Sequence, residues 1–404
     1  MTDWSRQLLF QRLGSLGFGQ LEIVEGGDRH VFGSDANRLA RLEVNDSSFY
    51  RHVVMGGALG AAESFLQGHW VSDDLVAVFR LLAINSTTFQ NVNSSGRLLL
   101  APVNLIRRLI TRNSQSGSRK NIHAHYDLGN EFFKLFLDST MTYSSGIFVS
   151  PQSSLRESSI EKYDLICRKL RLEHHHQLVE IGTGWGGFAI HAAAEYGCRV
   201  TTTTISQEQF QYARAAVEKA GVADRVEIVC KDYRNLQGQY DRLVSIEMIE
   251  AVGHQFLPAY FQQCSRLLKN NGEMLIQAIT IPDQFYDDYR KSIDFIQRYI
   301  FPGGCLPCLS AITDAVKRKT DLQLVGLDDY TPHYARTLQL WRERFLGQLD
   351  SIHALGLDDR FIRMWDYYLA YCEAGFRERM TALLQLHFAK PNAHGFGLTF
   401  GSSS

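Results

Sequence analysis

The chain has 404 residues, with 42 Lys+Arg against 43 Asp+Glu and a formal net charge of −1. That balance offers no general attraction for nucleic acid, and an apolar share of 45% is ordinary for a globular protein with room for two or three domains. No run of 18 apolar residues occurs, Met1-Thr2-Asp3-Trp4 opens without a basic and then apolar leader, and seven scattered cysteines suit a reducing compartment. A cytoplasmic protein is expected.

Residues 1–95 mix short strands and helices, and Phe65 to Asp74 reads as a helix end, a turn and a new start. No catalytic cluster is visible there. The character changes over 96–120, where leucines alternate with Arg97, Arg107, Arg108 and Arg112 before Arg119-Lys120, giving six Lys/Arg and no acid. This reads either as a solvated helix with a polar linker or as a basic amphipathic segment lying on anionic lipid.

From 121 the pattern is α/β. Strands are predicted at 178–182, 198–204, 225–230, 242–246 and 273–279, with amphipathic helices such as 206–220 and 255–269 between them. That alternation argues a doubly wound, mainly parallel sheet whose ligands lie beyond the strand C-termini. Residues 283–300 and 334–380 are helical, aromatic-rich additions suited to a lid or an apolar substrate pocket.

The first of these strands leads into Val179-Glu180-Ile181-Gly182-Thr183-Gly184-Trp185-Gly186-Gly187-Phe188. Glycine is required where the chain turns sharply and a ligand approaches the backbone closely. The next strand ends in Thr201-Thr202-Thr203-Thr204-Ile205-Ser206, with no acid of the dinucleotide-binding kind. The acid-x-Gly-x-Gly-x-Gly turn resembles the opening of class I methyltransferases, which bind S-adenosylmethionine. Glu180, Gly182, Gly184 and Gly186 are then cofactor residues, Thr204 and Gln209 candidates for the ribose hydroxyls, and Asp232-Tyr233 for the adenine. Glu247 and Glu250 follow the fourth strand and face the cleft, either as ligands or as charges favoured at a helix N-terminus. Cys305-Leu306-Pro307-Cys308 is a single CxxC, and His174-His175-His176 are adjacent in a turn, so no metal site is expected.

Several motifs appear in register: His125-Tyr126-Asp127-Leu128-Gly129-Asn130-Glu131-Phe132-Phe133, Met141-Thr142-Tyr143-Ser144-Ser145, the glycine turn, Glu250-Ala251-Val252-Gly253, and Tyr299-Ile300-Phe301-Pro302-Gly303-Gly304-Cys305-Leu306-Pro307. Together they resemble the cyclopropane-fatty-acyl-phospholipid synthases, strongly over 121–390 and more weakly before. The resemblance implies a class I methyltransferase (Rossmann-like) domain over 121–392. It also implies a small helical lipid-engaging domain over 1–95 and the basic segment 96–120 between them. It further implies S-adenosylmethionine as cofactor, with Tyr143 and Ser144 beside it, and an unsaturated phospholipid as substrate. The location implied is the inner membrane face, as a peripheral protein, and a homodimer is left open.

In that family the alkene of the acyl chain attacks the sulfonium methyl, and a bound bicarbonate is thought to take the proton as the ring closes. The bicarbonate is held by a cysteine, a glutamate, a histidine, a tyrosine and a backbone amide. The matching positions here are Ser145, Glu250, Gln277, Tyr334 and Ile279, so serine stands for cysteine and glutamine for histidine. Both still donate hydrogen bonds, but glutamine cannot carry a proton. Glu247 to His254 and Asp288 to Ile296 look more like the branch found in plants and some bacteria. Some bacterial relatives of that branch leave a methyl-branched alkene, a furan fatty acid precursor, rather than a ring. Three readings stand: a cyclopropane-forming enzyme, a methyl-branching enzyme, and a non-catalytic lipid-binding protein that kept the fold.

Overall fold

The computed structural model describes residues 4–85 and 128–394. The basic segment 96–120 and His125-Tyr126-Asp127 lie outside the described residues.

The N-terminal stretch contains α1 (Trp4–Leu13), β1 (Gln20–Glu25), β2 (Asp28–Gly33), β3 (Leu39–Val44), α2 (Ser48–Leu66), β4 (Trp70–Val71) and α3 (Leu75–Ile84). Its strands form a sheet of order β2-β1-β3-β4, so the chiefly helical unit expected from the resemblance is corrected to a mixed one. Alternation of buried Ala40, Leu42 and Val44 with exposed neighbours makes β3 a one-faced strand. Asp74 caps α3 by accepting from the Ala77 amide at 2.9 Å, which is the new start read from the sequence.

From residue 128 the elements begin with α4 (Asn130–Lys134), α5 (Leu155–Lys169), β5 (Gln177–Ile181), α6 (Gly187–Glu195), β6 (Arg199–Thr204), α7 (Gln207–Lys219), β7 (Val226–Cys230) and β8 (Tyr240–Ile246). They continue with α8 (Leu257–Leu267), β9 (Leu268–Thr280), α9 (Asp283–Tyr289), α10 (Leu309–Lys319), β10 (Gln323–Asp329), α11 (Thr331–Leu346), α12 (Leu349–Ala354), α13 (Asp359–Arg377) and β11 (Ala382–Ala389). The seven strands β5 to β11 form one sheet of order β10-β11-β9-β8-β5-β6-β7. Strands β5 to β9 run parallel, and β11 is antiparallel to both neighbours. All five strands read from the sequence are present; β10 and β11 extend the sheet beyond them.

Chain order reverses at β5, which lies between β6 and β8. A crevice opens beyond the strand C-termini at such a switch point. The glycine turn after β5 and the Glu247–Glu250 segment after β8 therefore share one cleft. The aromatic-rich helices α11 and α13 pack over it, with Trp341, Phe345 and Trp365 fully buried in the core they form with Phe132, Phe133 and Phe136. The N-terminal unit docks on these helices. Phe79 lies 4.7 Å from Tyr367, ring to ring, and Arg80 pairs with Glu378 at 2.5 Å.

Candidate active site

The turn after β5 has the geometry its glycines demand. Gly182, Gly184 and Gly186 take φ of 101°, 52° and 93°, a region that disfavours any side chain with a Cβ. The amides of Gly182 and Thr183 both donate to the Thr203 carbonyl, at 3.1 and 3.0 Å, which pins the turn to β6. A Cβ on Gly186 would come within 3.2 Å of the Ala213 Cβ, so this glycine lets α7 approach. A Cβ on Gly184 would meet nothing within 4 Å, so this residue faces the open cleft. Trp185 is tied back by its indole N–H to Asn130 at 2.6 Å, which joins the glycine turn to the motif that ends at Phe133.

Glu180 is buried at the end of β5 and accepts from the Thr202 hydroxyl at 2.6 Å. Burial pushes its pKa up to about 8, against smaller opposing effects of Thr202 and the Lys162 charge. On β6 and α7 the pair read as ribose ligands is in contact, with the Thr204 hydroxyl donating to the Gln209 side-chain oxygen at 2.9 Å. Asp232 and Tyr233 follow β7 as expected. The Asp232 carboxylate, however, is held by Arg234, at 2.8 Å from Nε and 2.7 Å from Nη2. The Tyr233 ring packs edge-on against Tyr260 at 5.5 Å.

Tyr143 and Ser144 reach the same cleft from the opposite side. The Tyr143 hydroxyl is 3.0 Å from that of Tyr368, and the Ser144 hydroxyl accepts from the Lys162 ammonium at 2.5 Å. Lys162 is fully buried on α5, and burial lowers its pKa to about 8 while the charges of Glu247, Asp138 and Glu180 hold it up. It was missed in the sequence although a signal exists. Leu155, Ser158, Ser159, Lys162, Tyr163, Ile166 and Cys167 form the buried stripe of α5, and the lysine falls inside it.

The five residues read as an anion site divide into two groups. Three of them converge on the carboxylate of Glu247. The Ser145 amide donates to its Oε1 at 2.9 Å, the Gln277 side-chain amide to Oε1 at 2.8 Å, and the Tyr334 hydroxyl to Oε2 at 2.6 Å. The other two bond to each other, with the Ile279 amide donating to Glu250 Oε1 at 2.5 Å and Glu250 Oε2 left buried without a partner. Glu250 therefore does not serve the end of its own helical turn; its carboxylate crosses to β9. Burial first, and then the nearby Glu247 charge, pushes Glu250 up to about 8. Glu247 is also raised by burial, with the Lys162 charge and its three donors pulling it back.

The cradle around Glu247 is itself fixed. Gln385 on β11 pairs in register with Gln277 and donates to its side-chain oxygen at 2.9 Å, which turns the Gln277 NH2 toward Glu247. The Ser145 hydroxyl faces away, donating to the Gly146 carbonyl at 3.0 Å. In this structure Ser145 reaches Glu247 through its backbone amide. Apolar rings complete the wall. Tyr334 stacks on Phe376 at 4.4 Å, Tyr143 lies 5.3 Å from Trp341, and Phe301 lies 6.1 Å from Tyr368.

A parallel sheet with this switch-point cleft, an acid at the end of β5 and a three-glycine turn open to the cleft defines a class I S-adenosylmethionine-dependent methyltransferase. The residues present fit that donor, since Gly184 leaves its backbone open to the cleft beside the buried carboxylate of Glu180. A family model described as mycolic acid cyclopropane synthetase matches residues 113–386. The tuberculostearic acid methyltransferase UfaA1 of Mycobacterium tuberculosis is 41% identical over 81% of this chain and 78% of its own length. The cyclopropane-fatty-acyl-phospholipid synthase of Escherichia coli is 34% identical over 88% of this chain and 89% of its own. The structure of the mycolic acid cyclopropane synthase CmaA1 complexed with SAH, the demethylated donor, aligns with TM-score 0.63 and 30% identity, over 67% of this chain and 98% of that one. The chain belongs to the mycolic acid cyclopropane synthetase family, S-adenosylmethionine-dependent methyltransferases that act on lipids.

Proposed function

We propose that the protein methylates a cis double bond in an acyl chain still attached to phospholipid and closes it to a cyclopropane ring. The observation that carries this reading is the Glu247 carboxylate, held by its donors beside the packed rings of Tyr334, Phe376, Tyr143 and Trp341. An alkene accepting a methyl cation becomes an alkyl cation. Such a species requires a dry wall, ring faces that attract positive charge and a single well-placed base. S-adenosylmethionine supplies the electrophilic methyl group. Glu180 and the glycine turn seat it, Thr204 and Gln209 face its ribose, and Tyr143 and Ser144 border the transferred group.

The second reading, a methyl-branched alkene, draws on two observations. Ser145 and Gln277 stand where the ring-forming pattern has cysteine and histidine, and the relative at 41% identity carries the name of a tuberculostearic acid methyltransferase. Both products arise from the same cation and differ only in which proton leaves. Expression in a host with unsaturated lipids, followed by gas chromatography–mass spectrometry of the acyl chains, separates them. Dimethyl disulfide adds to a retained alkene and not to a ring. Acyl chains with no added carbon would refute both.

The organisation proposed is a lipid-engaging unit over 1–95, a basic segment over 96–120 that lies on the membrane, and the methyltransferase over 121–392, working at the inner face of the membrane. No helix among the described residues is long and apolar enough to cross a bilayer. The exposed Trp4 and Phe18 of the N-terminal unit and the six cations of 96–120 support surface engagement.

A further inference from the structure

The anion cradle of this chain is filled from within. Ser145, Gln277 and Tyr334, which the family resemblance assigns to a bound bicarbonate, all donate to Glu247. These donors cannot serve a free anion while the side chain is there, so the residues present do not fit bicarbonate. We infer that the Glu247 carboxylate takes the place of bicarbonate as the base that removes the proton from the methylated acyl chain. The inference rests on the reading given under the proposed function.

Three observations support it. First, Glu247 adopts φ of 48°, a left-handed conformation that costs any residue other than glycine. Its amide donates to the Gln277 carbonyl at 2.8 Å, and the unusual backbone is what turns the side chain into the cradle. Second, the donor count leaves one opening. A carboxylate has about four acceptor directions over its two oxygens. Ser145 and Gln277 take both on Oε1, and Tyr334 takes one on Oε2, so a proton can be accepted at the remaining direction of Oε2. Third, the replacement of histidine by Gln277 fits an internal base. With Gln385 fixing its orientation, the amide only donates toward Glu247 and cannot compete for the proton.

The step balances. The alkene π pair forms a bond to the sulfonium methyl carbon, and the S–CH3 pair stays on sulfur. The resulting cation loses a proton to Glu247 Oε2, and the freed C–H pair forms either the third ring bond or a new double bond. A free carboxylate would also trap the cation as an ester. Three hydrogen bonds weaken this one as a nucleophile and hold it back from bonding distance.

The test compares the full-length wild type with Glu247→Gly and Glu247→Gln. Glycine suits φ of 48° and opens the cradle; glutamine keeps the shape without the base. In the first arm, 13C-bicarbonate is titrated into each protein and followed by its NMR line width. Wild type and Glu247→Gln should leave the line unchanged, and Glu247→Gly should broaden it. In the second, methyl-labelled donor and dioleoyl phosphatidylglycerol vesicles are incubated in CO2-free buffer with and without added bicarbonate. Wild-type turnover should be the same in both, Glu247→Gln should fall by at least about 100-fold, and Glu247→Gly should recover only with bicarbonate. Bicarbonate binding by the wild type, loss of its activity on depletion, or a fully active Glu247→Gln would each overturn the inference. If the wild type transfers no label to lipid, the proposed function falls, while the NMR arm still decides who fills the cradle.

Discussion

Binding of S-adenosylmethionine should expel a proton from the enzyme, and Glu180 should be its source. Without donor, burial holds this carboxyl at a pKa of about 8, so at pH 7 roughly nine molecules in ten carry the proton. The donor brings two cations, an ammonium and a sulfonium. One unit charge at about 4 Å and an effective dielectric near 20 is worth about 4 kcal/mol, or about three pH units. That takes Glu180 to roughly 5, ionised at neutrality. Calorimetry in buffers of different ionisation enthalpy should therefore report release of about 0.9 proton per donor at pH 7. Affinity should rise about tenfold per pH unit between roughly pH 5 and 7 and level off above 8.

The same group sets a stability trend. Its pKa is raised on folding, so its contribution is full below the unfolded value of 4.5 and is lost as pH rises through about 8. Glu180→Gln should flatten the donor-free stability profile by up to about 1.4 kcal/mol per pH unit across that window and abolish the proton release. A binding heat that ignores the buffer, together with an affinity flat from pH 6 to 8, would refute the reasoning.

Further outcomes test other parts of the site. Gly184→Ala should cost only about 1 kcal/mol of stability, from its left-handed φ, yet weaken donor binding at least tenfold. Gly186→Ala should mainly lower the melting temperature, because its Cβ meets Ala213; the opposite pattern would misplace the cofactor. Tyr334→Phe removes a donor to the Glu247 carboxylate, so the acid limb of kcat/KM should move up by about 1–2 pH units with donor affinity unchanged. An unshifted limb would remove Glu247 from the rate profile. Replacing Arg107, Arg108 and Arg112 by glutamine should weaken binding to anionic vesicles on the order of 100-fold at low salt. Equal binding would make the segment a linker.

Much of the sheet was legible because β5 and β8 bury short apolar stretches, Leu178-Val179 and Leu243-Val244, and because Gly182, Gly184 and Gly186 can be read directly as a turn. Strand β10 escaped because almost all of it is exposed and a bulge interrupts it near Gly326, so neither period nor apolar run marks it. At the site, Tyr143, Ser145, Gln277 and Tyr334 were found by motif and do gather at one cleft. What the sequence did not reveal is which acid they serve. Glu247 and Glu250 are three residues apart, and only the positive φ of Glu247 sends its carboxylate into the cradle, leaving Glu250 to Ile279. A backbone dihedral has no signature in a run such as Ile246-Glu247-Met248-Ile249-Glu250.

The cluster of buried ionisable groups has a single electrostatic logic. Glu180, Glu247 and Glu250 all have raised pKa values, and Lys162 sits among them with a lowered one. Burial at low dielectric disfavours the charged form of each of these groups, which raises the carboxyls and lowers the lysine. The proposed reaction would bring positive charge twice: on the donor, and then on the acyl chain after methyl transfer. On that proposal each arrival would favour the ionised carboxylates, so donor seated on Glu180 would also draw Glu247 toward the state a base requires. Lys162, held by its hydrogen bond to Ser144, already favours that ionisation before the donor arrives, because its charge lowers the pKa of Glu247 and Glu180. Replacing it by an apolar residue would leave the carboxyls more firmly protonated, and the base would be slowed although no atom touching the lipid had changed.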